Sequence, residues 1–194
     1  YKRQCRGAAE YLCGLRPRPG VIGLSWGRTT SQIAAHLPQG WNRGVSVVQT
    51  NGGLATGQRD LVGDSLRVMA DRGPGEVRLL LAPTMVGSPE LGRSLREDAA
   101  VATTLEAAAA ARTIVYSPGS ATSTSILVDS GYLSVDEVDG LTHRGVVGDV
   151  LSHLVDAGGQ IVDQDLDART ISMQLDALRR CPQAIAVSTG SDKA

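Results

Sequence analysis

The chain has 194 residues, 42% hydrophobic and 20% charged, with a formal net charge of −1. Such a length suits one domain around one sizeable core, and the balanced charge provides no overall basic field toward nucleic acid or an anionic membrane. Phe is absent and aromatics reach only 3%, so Val, Leu, Ile and Ala must fill the core, as suits helices packed on parallel strands.

Residues 2–15 have apolar positions at helical spacing and predict a first helix. Arg16-Pro17-Arg18-Pro19-Gly20 breaks it. A strand-helix rhythm follows: a strand over 21–25, a helix over 27–37, a β-branched strand over 44–50, a helix over 59–71 and a third strand over 76–83. Helix is predicted over 89–111, favoured by the alanines at 107–111, with Gly92 and Asp98 as candidate interruptions. A fourth strand over 112–119 follows. Ser134 and Glu137 form a capping box for a helix over 134–141. Residues 146–156 and 161–163, separated by Ala157-Gly158-Gly159-Gln160, read as an excursion of hairpin type. A helix over 174–180 and a fifth strand over 184–190 complete the series. Strands alternating with helices predict an α/β fold, a mostly parallel Rossmann-like sheet with helices on both faces.

Four of these strands run into polar or Gly-bearing segments: SWGRTT (25–30), QTNGG (49–53), YSPGS (116–120) and STGSDK (188–193). Ligands of open α/β sheets sit outside the carboxyl ends of the strands, so these loops converge on one candidate site. In the first, Gly27 permits close backbone approach, Arg28 offers a guanidinium fork, and Thr29 and Thr30 offer hydroxyls beside a helix N-terminus. An ordinary helix start with a surface Arg would look the same, and neither GxxxxGK[ST] nor GxGxxG is present. Thr50-Asn51-Gly52-Gly53 is similar in kind, although Asn-Gly also marks a plain turn. Asp149 is a lone acid in an apolar, Gly-rich context, and Lys193 closes the last loop.

Other chemistry finds little support. His36, His143 and His153 lie far apart without metal-ligand spacing, so structural roles and no metal or cofactor are expected. No G-x-S-x-G elbow or Ser-His-Asp arrangement is readable. Cys5, Cys13 and Cys181 are odd in number and lack CxxC spacing, which reads as reduced cytosolic thiols and a cytoplasmic protein. No run of 18 apolar residues and no leader-like opening occurs, so no membrane partner is expected. Lys2, Arg3, Arg6, Arg16 and Arg18 form a loose basic cluster that reads as a solvated helix face.

SWGRTT after VIGL, VQTNGG after a buried strand, and RGVVGDVLSHLVDAGGQIVD followed by AIAVSTGSDKA together resemble the effector domain of SorC/DeoR-type sugar-binding transcriptional regulators. The order and spacing of the blocks match across essentially the whole chain. The resemblance implies a NagB/RpiA/CoA-transferase-like fold and a single effector domain over 1–194. Residues 1–16 would lead in from a missing DNA-binding helix-turn-helix domain, and the chain would be truncated after 194. It implies no enzyme activity, a sugar or sugar phosphate as ligand, DNA binding only through the missing domain, and a homodimer or homotetramer. It implies Gly27, Arg28 and Thr29 on phosphate, with Ser25 a further ligand residue of that loop, Asn51 and Gly52 in the second loop, Asp149 on sugar hydroxyls, and Lys193 from the last loop. Some members carry Lys where this chain has Arg28, and Arg cannot form a Schiff base, so binding should be reversible. Asn51 replaces a basic residue of other members, which favours a monophosphate or neutral sugar over a bisphosphate. The alternative functions are a sugar-phosphate isomerase-like enzyme of the same fold, which needs a matched acid and base, and a purely oligomerising unit.

Overall fold

In a computed structural model, the structure describes residues 2–54 and 63–188. Helix α1 (Lys2–Gly14) buries Cys5, Ala9 and Leu12, a stripe at helical spacing. After it come β1 (Val21–Leu24), α2 (Arg28–His36), β2 (Ser46–Gln49), α3 (Gly63–Arg72), β3 (Glu76–Arg78), α4 (Pro89–Glu97), α5 (Ala99–Ala110) and β4 (Thr113–Tyr116). The chain continues through β5 (Gly119–Ser120), α6 (Ile126–Asp129), α7 (Val135–His143), β6 (Gly148–Val150), β7 (His153–Val155), α8 (Gln164–Arg169), α9 (Leu175–Arg180) and β8 (Gln183–Ala186).

Five strands form one parallel sheet in the order β3-β2-β1-β4-β8. Its residues alternate between two cores. Leu24, Val47 and Val115 join Cys5, Leu12, Ile33 and Met69 under α1, α2 and α3. Val48 and Ile114 join Ala108, Leu175 and Leu178 under α5 and α9 on the opposite face. Helices therefore cover both faces, as the alternation of elements predicts. The central strand is β1, so the loop after it sits midway along the row of strand ends.

The local chemistry sets the boundaries, and some differ from the sequence reading. The long helical stretch divides at Asp98, whose carboxylate accepts from Ala100 N (3.0 Å) and Val101 N (3.4 Å) as the N-cap of α5. Gly92 does not interrupt α4; a Cβ there would lie 2.3 Å from Ala168 O, so it lets α4 press against α8. The third strand stops at Arg78 rather than 83 because the side chain of Gln49 accepts from Leu80 N (3.1 Å), replacing the next ladder bond. The expected helix over 59–71 is described only from Gly63 onward, and the fifth strand ends at Ala186. The capping box of Ser134 and Glu137 forms as expected.

The excursion after α7 also differs. It is a second sheet, order β5-β6-β7, whose reversal falls at Leu151–Ser152 rather than at the Gly-rich 157–160 segment. Leu151 (φ 53°) and Ser152 (φ 71°) both occupy left-handed backbone, which Asn and Gly usually supply in such turns. Residues 157–160 make a further turn, leading to an isolated bridge between Val155 and Ile161.

Candidate functional site

The first loop opens on a helix start with unfilled donors. Gly27 (φ 142°) is the N-cap of α2 and provides no side-chain cap. The nearby hydroxyls turn the other way: Thr30 Oγ1 and Ser31 Oγ donate to Gly27 O at 3.0 and 2.9 Å. The amides of Arg28, Thr29 and Thr30 thus have no hydrogen-bond partner among the described residues. Three open amides at the positive end of a helix dipole favour an anion. Arg28 is exposed and forms no ion pair among the described residues. Thr29 is only 5% exposed, and its carbonyl receives the Cys5 thiol at 3.8 Å, joining this helix start to α1.

Ser25 sits just below, 3% exposed, with its amide on Val115 O (3.1 Å) and its hydroxyl unpartnered among the described residues. Trp26 is buried and donates from Nε1 to Gly52 O at 2.7 Å. That bond fastens the first loop to the second. Sequence reasoning missed it, although an indole inside a polar strand-end loop of an aromatic-poor chain was a visible signal.

The second loop is occupied by internal bonds. Asn51 is buried; its Oδ1 accepts from Thr50 Oγ1 (3.2 Å) and its Nδ2 donates to Ser152 Oγ (3.0 Å). Ser152 Oγ also accepts from Thr84 Oγ1 at 2.9 Å. Gly52 donates to Ile171 O at 2.8 Å, and a Cβ on it would lie 2.4 Å from Pro83 O. Asn51 and Gly52 therefore hold the second loop through internal bonds.

Asp149 lies on β6, its Oδ2 accepting from Ser152 N at 3.0 Å. Its Oδ1 is 1.7 Å from where a Cβ on Gly119 would stand, so Gly119 is what lets the carboxylate lie over the loop after β4. Through Trp26, Gly52, Asn51 and Ser152, the structure links the first loop, the second loop and the Asp149 hairpin. Lys193 lies outside the described residues. Burial pushes the Tyr116 phenol, at the end of β4, above its ordinary value.

The histidines occupy structural positions. His36 Nδ1 and His143 Nδ1 sit against the carbonyls of Gln32 (2.6 Å) and Asp139 (2.8 Å) in their own helices. His153 is fully buried, with Nδ1 at 2.5 Å from Asp167 Oδ1 and Nε2 at 3.0 Å from Met173 O. Among the described residues no group of three or more His, Cys, Asp or Glu could hold a metal ion, and no helix is long and apolar enough to cross a membrane.

Over residues 1–194 the chain matches the family model Sugar-bind, a sugar-binding domain. It is similar to the deoxyribonucleoside regulator of Bacillus subtilis strain 168, with 28% identity over 189 residues, 97% of this chain and 60% of that protein. The transcriptional regulator LsrR of Enterobacter sp. strain 638 is also 28% identical, over 198 residues, covering 97% of this chain and 57% of that protein. The chain therefore spans about 60% of the length of these relatives, which are named as regulators and not as enzymes. Among solved structures, a DeoR family transcriptional regulator from Listeria monocytogenes superposes with a TM-score of 0.87 at 21% identity, covering 99% of this chain and 76% of that one. The full-length sorbitol operon regulator SorC from Klebsiella pneumoniae gives 0.87 at 24% identity, covering 99% and 63%. At that identity these two share the fold. The match along its whole length establishes that the chain belongs to the sugar-binding domain family of SorC/DeoR-type transcriptional regulators.

Proposed function

We propose that the domain senses a phosphorylated sugar at the ends of β1, β4 and the β6–β7 hairpin, and that this changes the DNA affinity of the regulator it serves. The carrying observation is the start of α2: among the described residues three of its amides are open and Arg28 forms no ion pair, beside Gly27, which has no side-chain cap. These groups suit a phosphate monoester. Ser25 and Thr29 line the same loop, and Asp149 accepts sugar hydroxyls from the opposite side. Asn51 and Gly52 shape the wall, and Lys193 is a further contact from the last loop. Binding is reversible, because a guanidinium at position 28 forms no Schiff base. The neutral Asn51 favours one phosphate over two. A regulator of this kind reads its operator as a homodimer or homotetramer, through a DNA-binding domain outside this chain.

An isomerase of the same fold would need an acid and a base near one reacting carbon. The titratable group nearest Asp149 in the chain is His153, and both of its ring nitrogens are engaged in the core. Incubating the domain with pentose and hexose phosphates, while following melting temperature and turnover, separates the readings. Saturable stabilisation without product is expected; product would establish the enzyme, and no response to any sugar phosphate would leave only an oligomerising role.

A further inference from the structure

Among the described residues, two buried hydroxyls at the tops of adjoining strands have no partner. Ser25 follows β1 and Ser117 follows β4; both Oγ atoms are buried, and neither meets a hydrogen-bond partner among the described residues. Native interiors seldom tolerate an orphaned hydroxyl, and alanine would fill either position without the polar loss. By register Ser25 stands opposite Tyr116, and Ser117 lies one step further along. Leu24 pairs with Val115, and Ser25 N reaches Val115 O at 3.1 Å, so the hydroxyl-bearing segments stand about one strand spacing apart, ~4.8 Å.

Strand alternation gives Ser117 a side. Ile114 packs into the core with Ala108 of α5, whereas Val115 packs into the core with Ile33 and Ala34 of α2. Ser117, two residues beyond Val115, stands on the α2 side, the side on which the open amides of Arg28, Thr29 and Thr30 begin that helix, whereas Ser25, one residue beyond Leu24, falls on the opposite side. A serine hydroxyl changes staggered position by one rotation about Cα–Cβ, which turns it from the covered orientation toward an anion held there.

We propose that Ser117, just beyond β4, is a ligand-contacting residue that donates to an oxygen of a phosphate held at the start of α2. The inference rests on the phosphate reading of that helix start and adds a donor from a different strand. It favours a tetrahedral oxyanion, which accepts from the helix-start amides and from this hydroxyl at once.

The test uses the 194-residue chain, inorganic phosphate and glucose 6-phosphate, with sodium chloride holding ionic strength constant. Ser117→Ala is expected to leave the melting temperature of the ligand-free protein unchanged or higher. Its apparent affinity for both phosphates should fall about tenfold, as for one lost hydrogen bond to a charged group. Ser117→Cys, close in size and a weak donor, should weaken binding in the same direction and guards against a folding defect in the alanine variant. Arg28→Ala is the reference. If it weakens phosphate binding while both Ser117 variants bind like the parent, the Ser117 contact is overturned and the helix-start site stands. A lower melting temperature with unchanged affinity makes the hydroxyl structural and also overturns it. If the parent chain shows no saturable response to either phosphate, the site and the Ser117 contact fall together.

Discussion

The indole of Trp26 donates to the carbonyl of Gly52 at 2.7 Å, so one bond holds the loops after β1 and β2 in a fixed relation. Trp26→Phe keeps most of the apolar volume and removes the donor, leaving a buried carbonyl unmatched. Such a loss costs about 1–3 kcal/mol. Thermal or urea unfolding should register it, with a weaker sugar-phosphate response in the same variant. A midpoint equal to the parent's would mean that the bond does not hold the loops.

Arg28 has an exposed guanidinium and no ion pair among the described residues. Arg28→Ala should therefore barely change stability, yet weaken a phosphorylated ligand by about 1.5–3 kcal/mol, as for a lost hydrogen bond to a charged group. Calorimetric titration against a neutral sugar and its phosphate should show the loss for the phosphate alone. Equal weakening of both would remove Arg28 from the phosphate.

At Gly52 an added methyl would meet Pro83 O at 2.4 Å, and the neighbouring bonds to Ile171 and Trp26 prevent the loop from backing away. Gly52→Ala is expected to destabilise by about 1–3 kcal/mol, the range for overpacking. Gly53→Ala serves as its control, since a Cβ there meets nothing closer than Ala82 O at 3.8 Å. Equal midpoints for the two variants would contradict the packing argument.

Asp163 caps α8, and its carboxyl is held below the usual aspartate range, first by the bond from Leu166 N and then by Arg144. A carboxyl lowered on folding contributes stability that is present above its unfolded value of about 4 and is lost as the pH falls through the folded value. Unfolding free energy followed from pH 6 downward should drop more steeply for the parent than for Asp163→Asn. Parallel curves would remove Asp163 from the acid response.

Much of the architecture was readable because hydrophobic period and turn chemistry agree locally. The buried runs ending at Leu24, Gln49 and Tyr116 are strands, and the Ser134–Glu137 box starts its helix. What escaped was set by side chains far apart in sequence. Gln49 ends the third strand through Leu80, 31 residues on, a tertiary cap with no local signature. The Leu151–Ser152 turn carries neither Asn nor Gly, so no turn rule marks it. The bond from Asn51 to a serine 101 positions away likewise has no local signature. The strand-to-helix junction of the first loop was legible because Gly27 and the apolar run before it are local signals.

The Leu151–Ser152 turn behaves like a bent spring behind a latch. Two L-residues in left-handed backbone store strain on the order of 1–2 kcal/mol each, and the bonds from Asn51, Thr84 and Asp149 keep the turn closed. One catch of that latch, Asn51, belongs to the loop after β2, so this loop and the hairpin that bears Asp149 share a hydrogen bond. Exchange of the Ser152 amide with solvent should therefore report on the loop after β2 as well as on its own hairpin.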